Sequence, residues 1–188
     1  MRSIISFVLL ISSLAVQAQQ DVFSNKTNVA LEKVIKDFPN RFKNIRGELL
    51  SQRTQTAEYR STIQVPGSTS CVVTHYLASS NDAYSWTCTA FENKDFNLAK
   101  VKFKEIFEQI ENTIIKIDGE KPFIVSGQYK NPLEERKSTI IVFDLLPAVG
   151  DMKRLKVELA IQNVMSNWKV DINVFDNAAK DEHSTAAN

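Results

Sequence analysis

The sequence predicts an α+β fold of two successive helix-plus-antiparallel-meander units, α-β3-α-β4, forming one compact domain over residues 28–175. Three observations carry that expectation. Apolar residues recur at helical spacing at the head of each half, and each helical stretch gives way to period-two alternation. Clusters of Pro, Gly, Asn, Asp and Ser then punctuate the alternating runs, as turns between neighbouring strands require.

The chain opens with a segment of another kind. Arg2 is the only charge before residue 21, a run from Ile4 to Ile11 that is apolar but for Ser6 continues through Leu14 and Val16, and Val16-Gln17-Ala18 offers the modest side chains a signal peptidase accepts. Residues 1–18 therefore read as a cleavable signal peptide. The mature chain would start at Gln19 and reach the periplasm or the extracellular space. A membrane-spanning helix needs about 20 apolar residues, and this run breaks earlier into Gln and Asp, so no membrane anchor is expected after cleavage.

Loss of Arg2 leaves 22 basic residues against 22 acidic ones. A neutral chain lacks the clustered positive charge that phosphate backbones demand, and no nucleic-acid partner is expected. The one basic grouping, Lys33, Lys36, Arg41, Lys43, Arg46 and Arg53, is interleaved with Glu32, Asp37 and Glu48 and reads as a solvated helix face. About 170 residues suffice for one domain with a true core.

Residues 19–27 are polar and read as a flexible lead-in to a helix capped by Thr27 or Asn28. Its stripe is Leu31, Val34 or Ile35, Phe38, Phe42, Ile45 and Leu49. Pro39 must bend or split that helix, and Gly47 would end the second piece. From Ala57 the period becomes two, with Ala57, Tyr59, Ser61, Ile63 and Val65 on one face. Pro66-Gly67 then turns the chain into a hairpin of residues 71–77 and 84–91 around Ser79-Ser80-Asn81-Asp82. In the register where Leu77 faces Asp82, His75 meets Tyr84, Val73 meets Trp86 and Cys71 meets Cys88. The two cysteines are the only ones in the chain, so an oxidising compartment leaves them one intramolecular pairing, a disulfide across the hairpin.

Asp95 is the expected cap of the second helix, whose stripe is Phe96, Ala99, Phe103, Ile106, Phe107, Ile110, Ile114 and Ile117. Four strands are expected after Asp118-Gly119, at 122–130, 137–146, 153–162 and 168–175. Residues 176–188 lose periodicity and read as a disordered tail. The halves, about 28–92 and 93–175, share one plan, and Phe38, Phe42 and Ile45 match Phe103, Phe107 and Ile110 in spacing. Any amphipathic helix on a sheet produces such spacing, which favours shared architecture over common ancestry.

Reactive motifs are absent: the chain contains neither HExxH nor GxSxG, and no phosphate-binding or dinucleotide glycine pattern. No metal or cofactor is expected, and no catalytic residue is assigned. Three residues stand out. His75 is the only histidine outside the tail, Trp86 lies in the same hairpin, and Asp144 interrupts the run Ile140-Ile141-Val142-Phe143-Asp144-Leu145-Leu146, where the charge is best explained by a strand end. That run is apolar on both strand faces, which implies cover on both sides. The function expected on this basis is an exported non-catalytic binding or interaction module, working with a protein partner or by self-association. The alternatives are a carboxylate-dependent hydrolase and a carrier of an apolar small ligand.

Overall fold

A computed structural model of the chain describes residues 26–77, 83–117, 119 and 121–177. The expected leader, residues 19–25 of the expected lead-in, residues 78–82 and residues 178–188 of the expected tail lie outside the described residues, whereas Lys26 and Thr27 belong to the first helix and Asp176 to the last strand.

The first helix, α1 (Lys26–Asp37), buries Ala30, Leu31, Val34 and Ile35. It stops at Asp37 because Pro39 has no N–H to donate and crowds the residue before it. The expected second helical piece, up to Gly47, is replaced by a turn. Phe38–Asn40 form a single 3-10 turn, and Arg41 and Phe42 both adopt φ 56°. The carboxylate of Asp37 holds this turn together. It accepts hydrogen bonds from Asn40 Nδ2 at 3.1 Å, Asn44 Nδ2 at 2.6 Å, and the backbone N–H groups of Asn44 at 3.0 Å and Ile45 at 3.2 Å. Phe42 and Ile45 thus reach the core without a helix beneath them, while Leu49 lies exposed on the strand that follows.

Four strands come next: β1 (Arg46–Gln52), β2 (Thr56–Ser61), β3 (Ser70–Tyr76) and β4 (Ala83–Asn93). In the β3–β4 hairpin Cys71 faces Cys88, Val73 faces Trp86 and His75 faces Tyr84, the register expected from the sequence. Asp95 caps the second helix, α2 (Phe96–Ile110), by accepting from the N–H groups of Asn97 at 2.7 Å and Leu98 at 3.3 Å. Phe96, Ala99, Phe103, Ile106, Phe107 and Ile110 form its buried stripe. The stripe ends there, because Asn112 turns left-handed at φ 62° and Ile114 passes into a two-residue strand, β5 (Ile114–Ile115).

The remaining strands are β6 (Phe123–Ser126), β7 (Ser138–Leu146), β8 (Leu155–Val164) and β9 (Asn167–Asp176). The run expected at 122–130 is strand only over β6, since its pairing with β7 goes no further than Ser126. β8 and β9 extend to Val164 and Asn167, joined by Met165 and Ser166 at φ 50° and 69°, the twist that lets two residues close a hairpin.

The strands form one antiparallel sheet in the order β1-β2-β3-β4-β9-β8-β7-β6-β5. The expectation of two helix-plus-meander units is thereby corrected: the described residues form a single nine-stranded sheet with two short α-helices. The reason lies at β4 and β9, the last strand of each meander. As separate units both would carry an open row of N–H and C=O groups, and pairing Ser85 with Phe175 through Asn93 with Trp168 closes both edges at once.

Helix α2 lies against β4, β8 and β9, and α1 packs beside α2. Under them a single core gathers Val73, Trp86, Cys88, Ile141, Phe143, Val157, Leu159, Ile161, Val170, Ile172 and Val174 with the helical stripes. The alternate residues of the same strands form the outer face of the sheet.

Candidate functional site

Two places stand out, one on each face of the sheet. On the helix side, beside the core, four half-buried residues from four strands converge: Arg46 on β1, Tyr59 on β2, His75 on β3 and Tyr84 on β4. The imidazole of His75 stacks on Tyr84 with ring centroids 4.2 Å apart and planes 7° from parallel. The Arg46 guanidinium lies over both tyrosines, 4.8 Å from the Tyr59 centroid and 5.8 Å from that of Tyr84. Register explains the convergence. His75 and Tyr84 are direct cross-strand partners, Tyr59 faces Val73 one row away, and the bulged pairing of β1 with β2 places Arg46 opposite Ser61.

No acid neutralises Arg46 among the described residues. Asp37 is engaged by its four donors, Glu48 is drawn to Arg60 at 4.0 Å, and Glu58 accepts from Ser51 at 3.0 Å on the other face. Sequence reasoning singled out His75 and its partner Tyr84. It missed Arg46, read as part of a solvated helix face, because that reading needed the helix that Asp37 and Pro39 terminate. The alternation in β2 placed Tyr59 on this face but gave no sign of a charge above it.

The second place is the outer face at the β5–β7 end. Ile114, Ile124 and Leu146 occupy one cross-strand row and are 56%, 44% and 48% exposed. Val142 and Ile140 are exposed on the same face farther along β7, separated from Leu146 by Asp144. The cover expected on both faces of the run 140–146 is present on one only: Ile141, Phe143 and Leu145 are buried by the core, and their neighbours lie open. Asp144 is not at the strand end but two residues within it, exposed on this outer face, where Lys156 pairs with it. A carboxylate that remains in water beside an ammonium group needs no strand end to be tolerated.

Farther toward the sheet centre the outer face carries two buried carboxylates on adjacent strands. Glu158 on β8 accepts from Asn173 at 3.2 Å, and Asp171 on β9 accepts from Gln162 at 3.1 Å through Oδ2. Oδ1 of Asp171 is buried and without a hydrogen-bond partner among the described residues. Alternation along β8 and β9 puts both acids on the face away from the core, and nothing in the sequence marks their burial.

Trp86 is fully buried, and its Nε1 donates to Ser61 Oγ at 2.9 Å, which places it in the core beneath the helices. Cys71 and Cys88 form a disulfide, with Cα atoms 4.0 Å apart and both side chains buried. The bridge is consistent with an exported protein in an oxidising compartment. Tyr129 packs on Phe107 and Phe103, and burial, with the nearby Glu108 carboxylate adding to it, raises its phenol above the ordinary value.

Two surface hollows flank the segment around Pro66. One, of about 350 Å³, is lined by α1 and residues 62–66, and the other, of about 240 Å³, by Thr27, Val65, Ala90, Lys102, Ile106 and Gln109. Neither is lined by Phe, Trp or Tyr. Among the described residues no group of three or more His, Cys, Asp or Glu is placed to hold a metal ion, and no helix is long and apolar enough to cross a membrane. Compared with known protein families, curated proteins and solved structures, the chain matches none of them.

Proposed function

We propose that the mature chain is an exported, non-catalytic binding module that engages a protein partner, or a second copy of itself, through the outer face of β5–β7. The observation that carries this reading is the in-register row of Ile114, Ile124 and Leu146, open on the side away from the helices, with Val142 and Ile140 farther along β7 beyond Asp144. Apolar side chains scattered singly over a surface need no explanation, but three side by side on adjacent strands mark an interaction surface. Export rests on the leader at residues 1–18 and on the Cys71–Cys88 bridge.

A photo-crosslinking residue at Val142, in full-length protein expressed through an export pathway, tests the reading. A discrete adduct that disappears with Ile124→Lys supports it, and sedimentation of the purified mature chain separates a second copy from another protein. A monomer at every concentration together with no adduct would overturn it. The hydrolase reading draws on Glu158 and Asp171, whose carboxyl groups come from neighbouring strands. It gains ground only if an ester or glycoside substrate is turned over by the wild type and not by Asp171→Asn.

A further inference from the structure

We infer that the corner formed by Arg46, Tyr59, His75 and Tyr84 is a binding site for a carboxylate-bearing ligand, separate from the outer face and independent of it. A guanidinium presents five N–H donors in a planar fork, which matches a carboxylate with two parallel hydrogen bonds. In this chain the fork is held but not filled. It lies over the two tyrosine rings with no ion-pair partner among the described residues, since Asp37, Glu48 and Glu58 are all engaged elsewhere. A π-face contact leaves a guanidinium's N–H donors available, because those donors point outward in its own plane.

The corner is also ordered before any ligand arrives. Tyr84 is fixed from one side by the His75 stack, and each aromatic ring stands on a different strand of the hydrogen-bonded ladder β2-β3-β4. Little side-chain freedom remains to be lost when an anion docks, which is the condition for useful affinity from few contacts. Tyr59 and Tyr84 each carry a phenolic hydroxyl, a further donor type on the two rings that the guanidinium covers. A half-buried setting strengthens the charge-assisted bond relative to one made in open water. The site therefore selects a planar anion that lies edge-on to Arg46, with an apolar or aromatic body resting on the rings.

The test uses the oxidised mature chain. Sodium acetate and sodium benzoate are titrated at constant ionic strength against a chloride control, and the Nε–Hε resonance of Arg46 is followed by NMR. The expected result is a saturable shift with both carboxylates, tighter for benzoate, and at least tenfold weaker binding in Arg46→Gln. Arg46→Lys keeps the charge and removes the fork, so it must also weaken acetate severalfold while the dispersed amide spectrum shows the fold intact. A shift no different from the chloride control, an Arg46→Lys chain that binds as tightly as the wild type, or saturation by inorganic phosphate without saturation by acetate would each overturn the assignment.

Discussion

Reducing the Cys71–Cys88 bridge isolates one contribution to stability, because both sulfurs stay where they are and only the covalent link is lost. The two residues are 17 apart in sequence. In the chain-entropy account, closing a loop of that size removes enough freedom from the unfolded chain to stabilise the folded state by about 3 kcal/mol. The folded hairpin needs no bond to keep its register, since β3 and β4 pair from Ser70 with Thr89 to Tyr76 with Ala83. The effect should therefore appear in the unfolding midpoint and not as a change of native structure. With a urea dependence of roughly 1 to 3 kcal/mol per molar, the midpoint should fall by about 1 to 3 M on reduction. Fluorescence reports it directly, because Trp86 lies buried two residues from Cys88 on the same face of β4. Urea curves are recorded with and without reductant, with thiols counted by alkylation under denaturing conditions. Two reactive thiols in the unreduced protein, or midpoints that coincide although reduction is complete, would refute the reasoning and remove the structural support for an oxidising compartment.

Other consequences are equally concrete. A Cβ at Gly127 would meet the Phe143 ring at 2.5 Å, and Phe143 is fully buried against Phe107, so Gly127→Ala should destabilise by about 1 to 3 kcal/mol and Phe143→Leu should relieve part of that in the double mutant. Additive thermal shifts in that cycle would contradict the predicted contact. Asp37→Ala leaves the backbone N–H groups of Asn44 and Ile45 without their acceptor and should cost on the order of 3 kcal/mol; equal urea midpoints for variant and wild type would rule out the carboxylate as the organiser of the turn. For Tyr129 the folded-state pKa lies above the unfolded one, so the folded chain holds its proton longer and stability is lost as pH rises past about 10. Tyr129→Phe should flatten that alkaline loss, and identical alkaline profiles by circular dichroism would count against the burial that raises the phenol.

What the sequence made legible is local. The β3–β4 register could be read from two cysteines, two aromatic partners and a turn-forming cluster, because cross-strand pairing in a hairpin propagates from the turn residue by residue. Helix α2 was legible for the same reason: its stripe runs over four turns from a capping Asp95 with no proline to interrupt it. The illegible parts depend on contacts distant in sequence. Phe42 and Ile45 sit at helical spacing, yet four hydrogen bonds to Asp37 fix a turn there, and spacing alone does not separate those two routes to the core. The corner at Arg46 inherited that error, since its position on a strand above Tyr59 exists only once the helix has ended. Glu158 and Asp171 obeyed the alternation that predicts solvent, and their burial depends on the sheet continuing on both sides of β8 and β9.

The joining of the two meanders also bears on whether the halves are copies of each other. An operator exchanging β4 with β9 carries β3 onto β8, β2 onto β7 and β1 onto β6, with α1 and α2 heading the two sets and β5 left over. Topology is thus nearly two-fold, but the residues that suggested a repeat are not equivalent. Phe103, Phe107 and Ile110 lie on α2, whereas Phe38, Phe42 and Ile45 lie in the 3-10 turn and the loop after α1. A match in spacing that falls on different kinds of structure follows from core burial and is no evidence of duplication. The aromatic corner belongs to the first meander alone and the apolar outer row to the second alone, so each half carries a different surface at its own end of the common sheet. The two proposed surfaces therefore lie on opposite sides of the β4–β9 ladder, and a test of one is independent of a test of the other.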